Sequence, residues 1–156
     1  MRSDVLPVGQ VEIIVEKLDG TVDDSIVQNT VVVTGRRALA SCLAGNIGDR
    51  FNFAVTQMVF GDGGTVDGVK RYVNSNRNGL FGVTRIAKPV IASLDGTVPA
   101  QVTFTSVIRF DEGVGLTLNE MAIVMASGDL YSMTTFPDLN KTGEIQITFN
   151  WVLSFI

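Results

Sequence analysis

Apolar and polar positions alternate most cleanly over residues 144–156. There Ile145, Ile147, Phe149, Trp151, Leu153 and Phe155 interleave with Gln146, Thr148, Asn150, Val152 and Ser154. A period of two in β-branched and aromatic residues predicts a half-buried strand. Six large apolar side chains on one face need an apolar layer opposite, since each is worth about 1.5–3 kcal/mol when fully buried. This segment, which holds the one Trp of the chain, is expected to be the strand against which the others pack.

The same alternation recurs upstream. Residues 11–17 set Val11, Ile13 and Val15 against Glu12, Ile14 and Glu16, and Asp19-Gly20 predicts a hairpin turn into a second strand over 25–34. One helix is expected, over 34–46, with Thr34 as its cap and Gly45-Asn46 as its stop. Leu39 and Leu43, one turn apart, are expected to face the sheet, and Cys42 to be a small buried apolar residue. Arg36 and Arg37 are expected to be solvated. Extended segments follow at 51–60, 83–94 (with an edge or a break at Pro89), 101–110, 116–126 and 130–136. In 101–110, Val102, Phe104, Ile108 and Phe110 are read as facing in, and Thr103, Thr105 and Arg109 as facing out. Leu-Asp-Gly-Thr-Val occurs at both 18–22 and 94–98, two hairpin turns rather than a repeat. The fold class predicted is mainly β, an antiparallel β-sandwich of about eight strands with one short α-helix. Residues 1–10 are expected to form an extended N-terminal arm ahead of a single domain over 11–156, with a long loop at 61–79.

Composition narrows the partners. A chain of 156 residues can bury a core without disulfides. Hydrophobic residues make up 46% and charged residues 18%, and a mean hydropathy of +0.30 points to apolar surface covered by other chains. A net charge of −4 argues against nucleic acid as the partner. Cys42 alone excludes an internal disulfide framework and fits assembly in a reducing cytoplasm. Residues 1–10 lack the basic-then-apolar order of a signal peptide, and no apolar run approaches the ~20 residues that span a membrane.

Candidate chemistry is sparse. The chain has no His, which removes the commonest general base, the Ser-His and Cys-His pairs and most zinc sites. Lys17, Lys70, Lys88 and Lys141 show no spacing to a Ser that supports Ser-Lys catalysis. Gly61 to Gly64 lacks the Gly-Lys-Ser/Thr ending of a phosphate loop. Asp62 and Asp67 are better read as solvated loop acids than as calcium ligands. Glu120 stands out as a carboxylate in an apolar strand; it is expected to accept hydrogen bonds from loop amides or to pair with Arg85 or Arg109. The expectation is a protein that is not an enzyme and carries no cofactor or metal.

The order of short motifs carries a resemblance. Thr-Gly-Arg-Arg-Ala-Leu-Ala begins at Thr34, and Met-Val-Phe-Gly-Asp-Gly-Gly-Thr begins at Met58. Leu118-Asn119-Glu120-Met121-Ala122, Gly128-Asp129-Leu130-Tyr131 and Thr135-Phe136-Pro137 follow, then the strand over 148–155. From about Val31 onward this resembles a widespread group of small virion proteins of tailed bacteriophages. In that group a Gly-x-Gly turn, an Asn-Glu-x-Ala/Gly strand and a Phe-x-x-x-x-Lys stretch before a Trp-containing strand recur. The resemblance implies a structural protein located in the virion and assembled in the host cytoplasm. It would be a capsid decoration or cement protein, or a tail, neck or baseplate protein that anchors fibres or adjoining rings. Its partners would be other virion proteins, the major capsid protein or tail and fibre proteins, and further copies of itself, with no nucleic acid and no membrane. The chain departs from the group in the loop at 61–79, where contacts peculiar to this protein are expected. Candidate interface residues are Arg71, Tyr72, Arg77 and Phe81 near that loop's end, and Val5 and Leu6 on the arm. The arm itself is either a frayed terminus or a segment docked on a neighbouring subunit. A carbohydrate-binding sandwich is the remaining alternative. It would need exposed aromatic residues, for which Trp151, Tyr72 and Tyr131 qualify by type, although Trp151 is expected on the core face.

Overall fold

The computed structural model describes residues 8–45, 52–95, 97 and 100–155. In chain order the elements are β1 (Val8–Lys17), β2 (Val22–Gln28), β3 (Thr30–Val31), α1 (Val33–Leu43), β4 (Val55–Gly61), β5 (Thr65–Val66) and β6 (Val69–Lys70). There follow β7 (Thr84–Pro89), β8 (Ile91–Leu94), β9 (Gln101–Ile108), β10 (Thr117–Met125), β11 (Leu130–Asn140) and β12 (Ile145–Ser154). Two five-stranded antiparallel sheets, ordered β2-β1-β12-β9-β8 and β3-β11-β10-β4-β7, face each other as a β-sandwich. The fold class is the one the alternation predicts.

β12 occupies the centre of the first sheet, paired along its length with β1 and β9. Ile147, Phe149, Trp151 and Leu153 project inward and are at most 2% exposed. Phe149 meets Phe60 of the second sheet at 4.5 Å between ring centroids and Phe136 at 6.4 Å. Phe155 lies past the end of the strand and is half-exposed, so the inward row has four members of the expected set fully buried, with Ile145 half-buried.

Twelve strands stand among the described residues where about eight were expected, and the difference has two causes. The first is that the chain changes sheets inside segments that read as single strands. The expected strand over 25–34 divides into β2 in the first sheet and β3 in the second, because Asn29 turns the chain. Its N–H donates to the Gly9 carbonyl at 3.2 Å while its side-chain amide reaches Ser132 of β11. The segment at 83–94 divides at Val90 into β7, on the edge of the second sheet, and β8, on the edge of the first. Pro89, which has no N–H to give a ladder, closes β7 at that switch. The second cause is the 61–79 loop, which contains the β5–β6 hairpin. Its two-residue turn has Asp67 and Gly68 at φ +50° and +77°, the left-handed pair such turns require.

β1 begins at Val8, so Val8 to Gln10 belong to the sheet and not to an arm; residues 1–7, with Val5 and Leu6, lie outside the described residues. The helix is shorter than expected. Val32 precedes it without a side-chain cap bond, and the Thr34 hydroxyl donates instead to the Leu130 carbonyl. Gly35 lets α1 lie close on β11, since a Cβ there would stand 2.3 Å from the Tyr131 oxygen. Gly35 and Ala38 form the buried face and Leu39 is half-buried. The last turn stands in solvent, so Leu43 is 90% exposed and Cys42 is exposed as well, against the expectation that both are covered.

The second sheet is covered on both faces. Met58, Phe60, Leu118, Met121 and Ile123 point into the sandwich, while Val59, Ala122, Val124 and Met133 meet Val32, Val73, Leu80 and Phe81 on the opposite side. Residues 73–81 therefore form part of a second, smaller core rather than a free loop. This explains why β10 is buried at nearly every position, unlike a strand with one wet face.

Candidate partner-binding surface

The second core is built over Glu120, whose side chain is fully buried. A β-bulge positions it. The β10–β11 register runs Leu118↔Leu139 and then jumps to Glu120↔Thr135, leaving Asn119 out of the ladder. The bulge aims two successive polar side chains at the same glycine-rich turn. Asn119 Oδ1 accepts the Gly64 N–H at 2.6 Å, and Glu120 Oε1 accepts the Gly63 N–H at 2.9 Å. Glu120 then spans to the far end of the loop, taking the Gly82 N–H on Oε1 at 2.8 Å and the Phe81 N–H on Oε2 at 2.6 Å. No cation pairs with it among the described residues; its three hydrogen-bond donors are backbone amides.

The sequence reading of Glu120 as an acceptor for loop amides is met, whereas neither Arg85 nor Arg109 pairs with it. The Arg85 side chain pairs with Asp62 at 2.8 Å, and the backbone N–H of Arg109 donates to Glu112, which also holds Lys88. The glycines are needed for this closeness. A Cβ on Gly64 would lie 2.2 Å from the Asn119 oxygen, and one on Gly63 would lie 2.3 Å from the Gly82 nitrogen. Asn119 also donates to Thr65 and to Asp138, and that bond and the Thr65 hydroxyl hold the Asp138 carboxyl below its usual range.

On this support sits a cluster of three of the candidate interface residues. The guanidinium carbons of Arg77 and Arg71 lie 4.1 and 4.9 Å from the Phe81 ring centroid. Arg77 also donates to the Gly79 and Leu80 carbonyls. Arg71 is held through its backbone, its N–H on the Gly64 carbonyl and its carbonyl taking the Thr135 hydroxyl, both at 2.8 Å. Beside it Tyr72 is 85% exposed, while the next residue, Val73, is anchored in the second core. Arg71, Arg77 and Phe81 are thus brought together, Tyr72 stands at their border, and Val5 and Leu6 lie outside the described residues.

Of the three aromatic residues that qualify by type for a carbohydrate site, Trp151, on the core face as expected, and Tyr131 are buried, and Tyr72 alone is exposed. Among the described residues no group of three or more His, Cys, Asp or Glu is placed to hold a metal ion, and no helix is long and apolar enough to cross a membrane.

Two surfaces escaped the sequence reading. Val22 and Ile26 on β2, and Ile91 and Leu94 on β8, are all more than half exposed. Their signal was available in the sequence, as short apolar-containing strands without the clean alternation of 101–110. A cleft of about 550 Å³ runs from Ile26–Thr30 of the β2 end to Lys70–Val73, so the β2 edge and the Arg71–Tyr72 platform share one wall.

Comparison with known protein families, curated proteins and solved structures gives no match for this chain.

Proposed function

We propose that the chain is a non-enzymatic structural subunit of a tailed-bacteriophage virion, a decoration or cement protein that grips neighbouring virion proteins. The observation that carries this reading is the use made of Glu120. Its side chain accepts hydrogen bonds from three backbone amides of the loop that carries Phe81 and the guanidinium groups against it. A buried carboxylate committed to loop amides supports a rigid, pre-ordered contact surface better than it supports a general base. Arg, Tyr and Phe are residue types that dominate the energetics of protein–protein contacts. The motif order from Val31 onward supplies the virion context, and the exposed apolar edges agree with a subunit that is covered in assembly.

The test is the copy number of the protein in purified particles, relative to the major shell protein. A number comparable to the shell protein supports cementing of the capsid. A number matching a tail or neck ring moves the protein there while keeping its structural role. Absence from particles sinks the reading. In the same particles Tyr72→Ala is expected to weaken incorporation while changing stability by less than about 0.5 kcal/mol, since the side chain is solvent-exposed.

A further inference from the structure

Among the described residues the first sheet ends at β2 with an unpaired edge, whose open groups can be named. The Lys17 N–H donates to the Thr21 carbonyl at 2.9 Å, which makes that pair a hydrogen-bonded one. Bonded and non-bonded pairs alternate along an antiparallel ladder. Val15↔Asp23, Ile13↔Ser25 and Val11↔Val27 are therefore bonded to β1, and the N–H and C=O of Val22, Asp24, Ile26 and Gln28 point away from the sheet. The Gln28 carbonyl is occupied by the Thr134 hydroxyl at 2.6 Å, as this phase requires. Val22, Asp24 and Ile26 remain, with three donors and three acceptors facing outward.

Along the inner side of the same edge runs a cleft of about 380 Å³ between the sheets, floored by Val15, Val27, Phe136 and Leu139, with Lys70 at its lip. A strand laid against β2 would send alternate side chains into this apolar slot and the others onto the outer face. There Asp24 stands next to Glu12, and burial first, then Glu12, pushes the Asp24 carboxyl up. Neither carboxylate meets a cation within salt-bridge distance among the described residues, while Asp23 has the 3.9 Å contact with Lys17.

We propose that the β2 edge takes an extended segment of a partner protein, apolar at alternate positions with Lys or Arg between them, as an added strand of the first sheet. Main-chain bonds to Val22, Asp24 and Ile26 supply the docking, the cleft selects apolar side chains, and Asp24 with Glu12 selects the cations. A second copy of β2 is disfavoured in this role. The register that uses all three open residues sets Asp24 opposite its own counterpart, and like charges directly opposite are destabilising. This inference does not depend on the virion reading, because any partner with such a segment satisfies it.

The test uses the full chain, isotope-labelled, and capped seven-residue peptides matched to the length of β2, one alternating Val with Lys and Arg and one alternating Val with Glu. At a peptide concentration ten times its Kd, the basic peptide is expected to slow amide exchange at Val22, Asp24 and Ile26 about tenfold. The acidic peptide is expected to leave these amides unchanged, and Asp24→Lys to reverse the preference. No protection by the basic peptide, or equal protection by both, overturns the proposal. A peptide of residues 1–10 that binds the edge more tightly than the basic peptide also overturns it, and assigns the edge to another copy of this chain.

Discussion

Replacing Glu120 by Gln tests the keystone of the platform. The carboxylate makes three bonds from full burial, at 2.9, 2.8 and 2.6 Å to the N–H groups of Gly63, Gly82 and Phe81. Hydrogen bonds to a charged group contribute about 1.5–3 kcal/mol each. In the Gln variant the amide oxygen, kept at the Oε1 position, still accepts from Gly63 and Gly82, but as a neutral acceptor at roughly half the strength. At the Oε2 position the new NH₂ faces the Phe81 N–H, two donors where a bond stood. The lost bond and the orphaned donor outweigh the easier burial of a neutral side chain, and the net loss is expected to be about 2–4 kcal/mol. Against a domain stability of about 5–15 kcal/mol that is a large fraction.

The assay is urea unfolding, read as a change in midpoint at constant slope, with amide exchange by NMR. Exchange at Gly63, Phe81 and Gly82 should accelerate more than exchange in β12, because the damage begins at the loop. A Gln variant within about 0.5 kcal/mol of the parent, with those three amides still protected, would falsify the claim that the carboxylate holds the loop. Glu120→Ala should cost more, about 3–5 kcal/mol, since no acceptor remains for any of the three donors until water enters.

Further outcomes follow from the same geometry. Gly64→Ala should cost at least about 2 kcal/mol by urea unfolding, because the new Cβ meets the Asn119 backbone and not a side chain that can turn aside. Tyr131→Phe should stabilise the protein by about 1 kcal/mol near neutral pH, since the buried hydroxyl has no hydrogen-bond partner among the described residues. The same variant should differ from the parent most at high pH. Burial pushes the Tyr131 phenol from 10.0 up to about 12, so between those values the unfolded chain loses a proton that the folded one keeps. The parent's stability from this group is full below pH 10 and falls as pH rises to about 12, by about 2–3 kcal/mol; the Phe variant lacks that loss.

Most of the sandwich was legible because period-two alternation reports burial directly. Trp151, Phe149 and Ile147 face the core for the reason they were expected to. Glu120 was legible as well, since a carboxylate inside an apolar strand has to find donors. Sheet membership was not legible. Val90 and Asn29 are single residues at which the chain crosses from one sheet to the other, and local pattern is the same on either side. The second core was hidden for a related reason. Val73, Leu80 and Phe81 sit among polar residues without helical or strand spacing, so nothing local shows that they cover β10. The helix end was missed because spacing places Leu43 on the face of Leu39 but says nothing of where the supporting sheet stops.

The platform and the β2 edge are not independent pieces of surface. Thr134 and Thr135, neighbours on β11, point their hydroxyls at the two sides of one cleft, Thr134 to the Gln28 carbonyl and Thr135 to the Arg71 carbonyl. The backbone of Arg71 is in turn tied to Gly64, and Gly64 to Asn119 beside Glu120. A strand added along β2 would therefore seat against a wall fixed by the same bonds that orient Arg71 and Phe81. If those bonds are rigid in the free protein, both contacts are pre-ordered, and a partner that engages one finds the other already in place. Affinity would then come from joint engagement of two modest surfaces, which suits an assembly built from many copies better than one strong contact does.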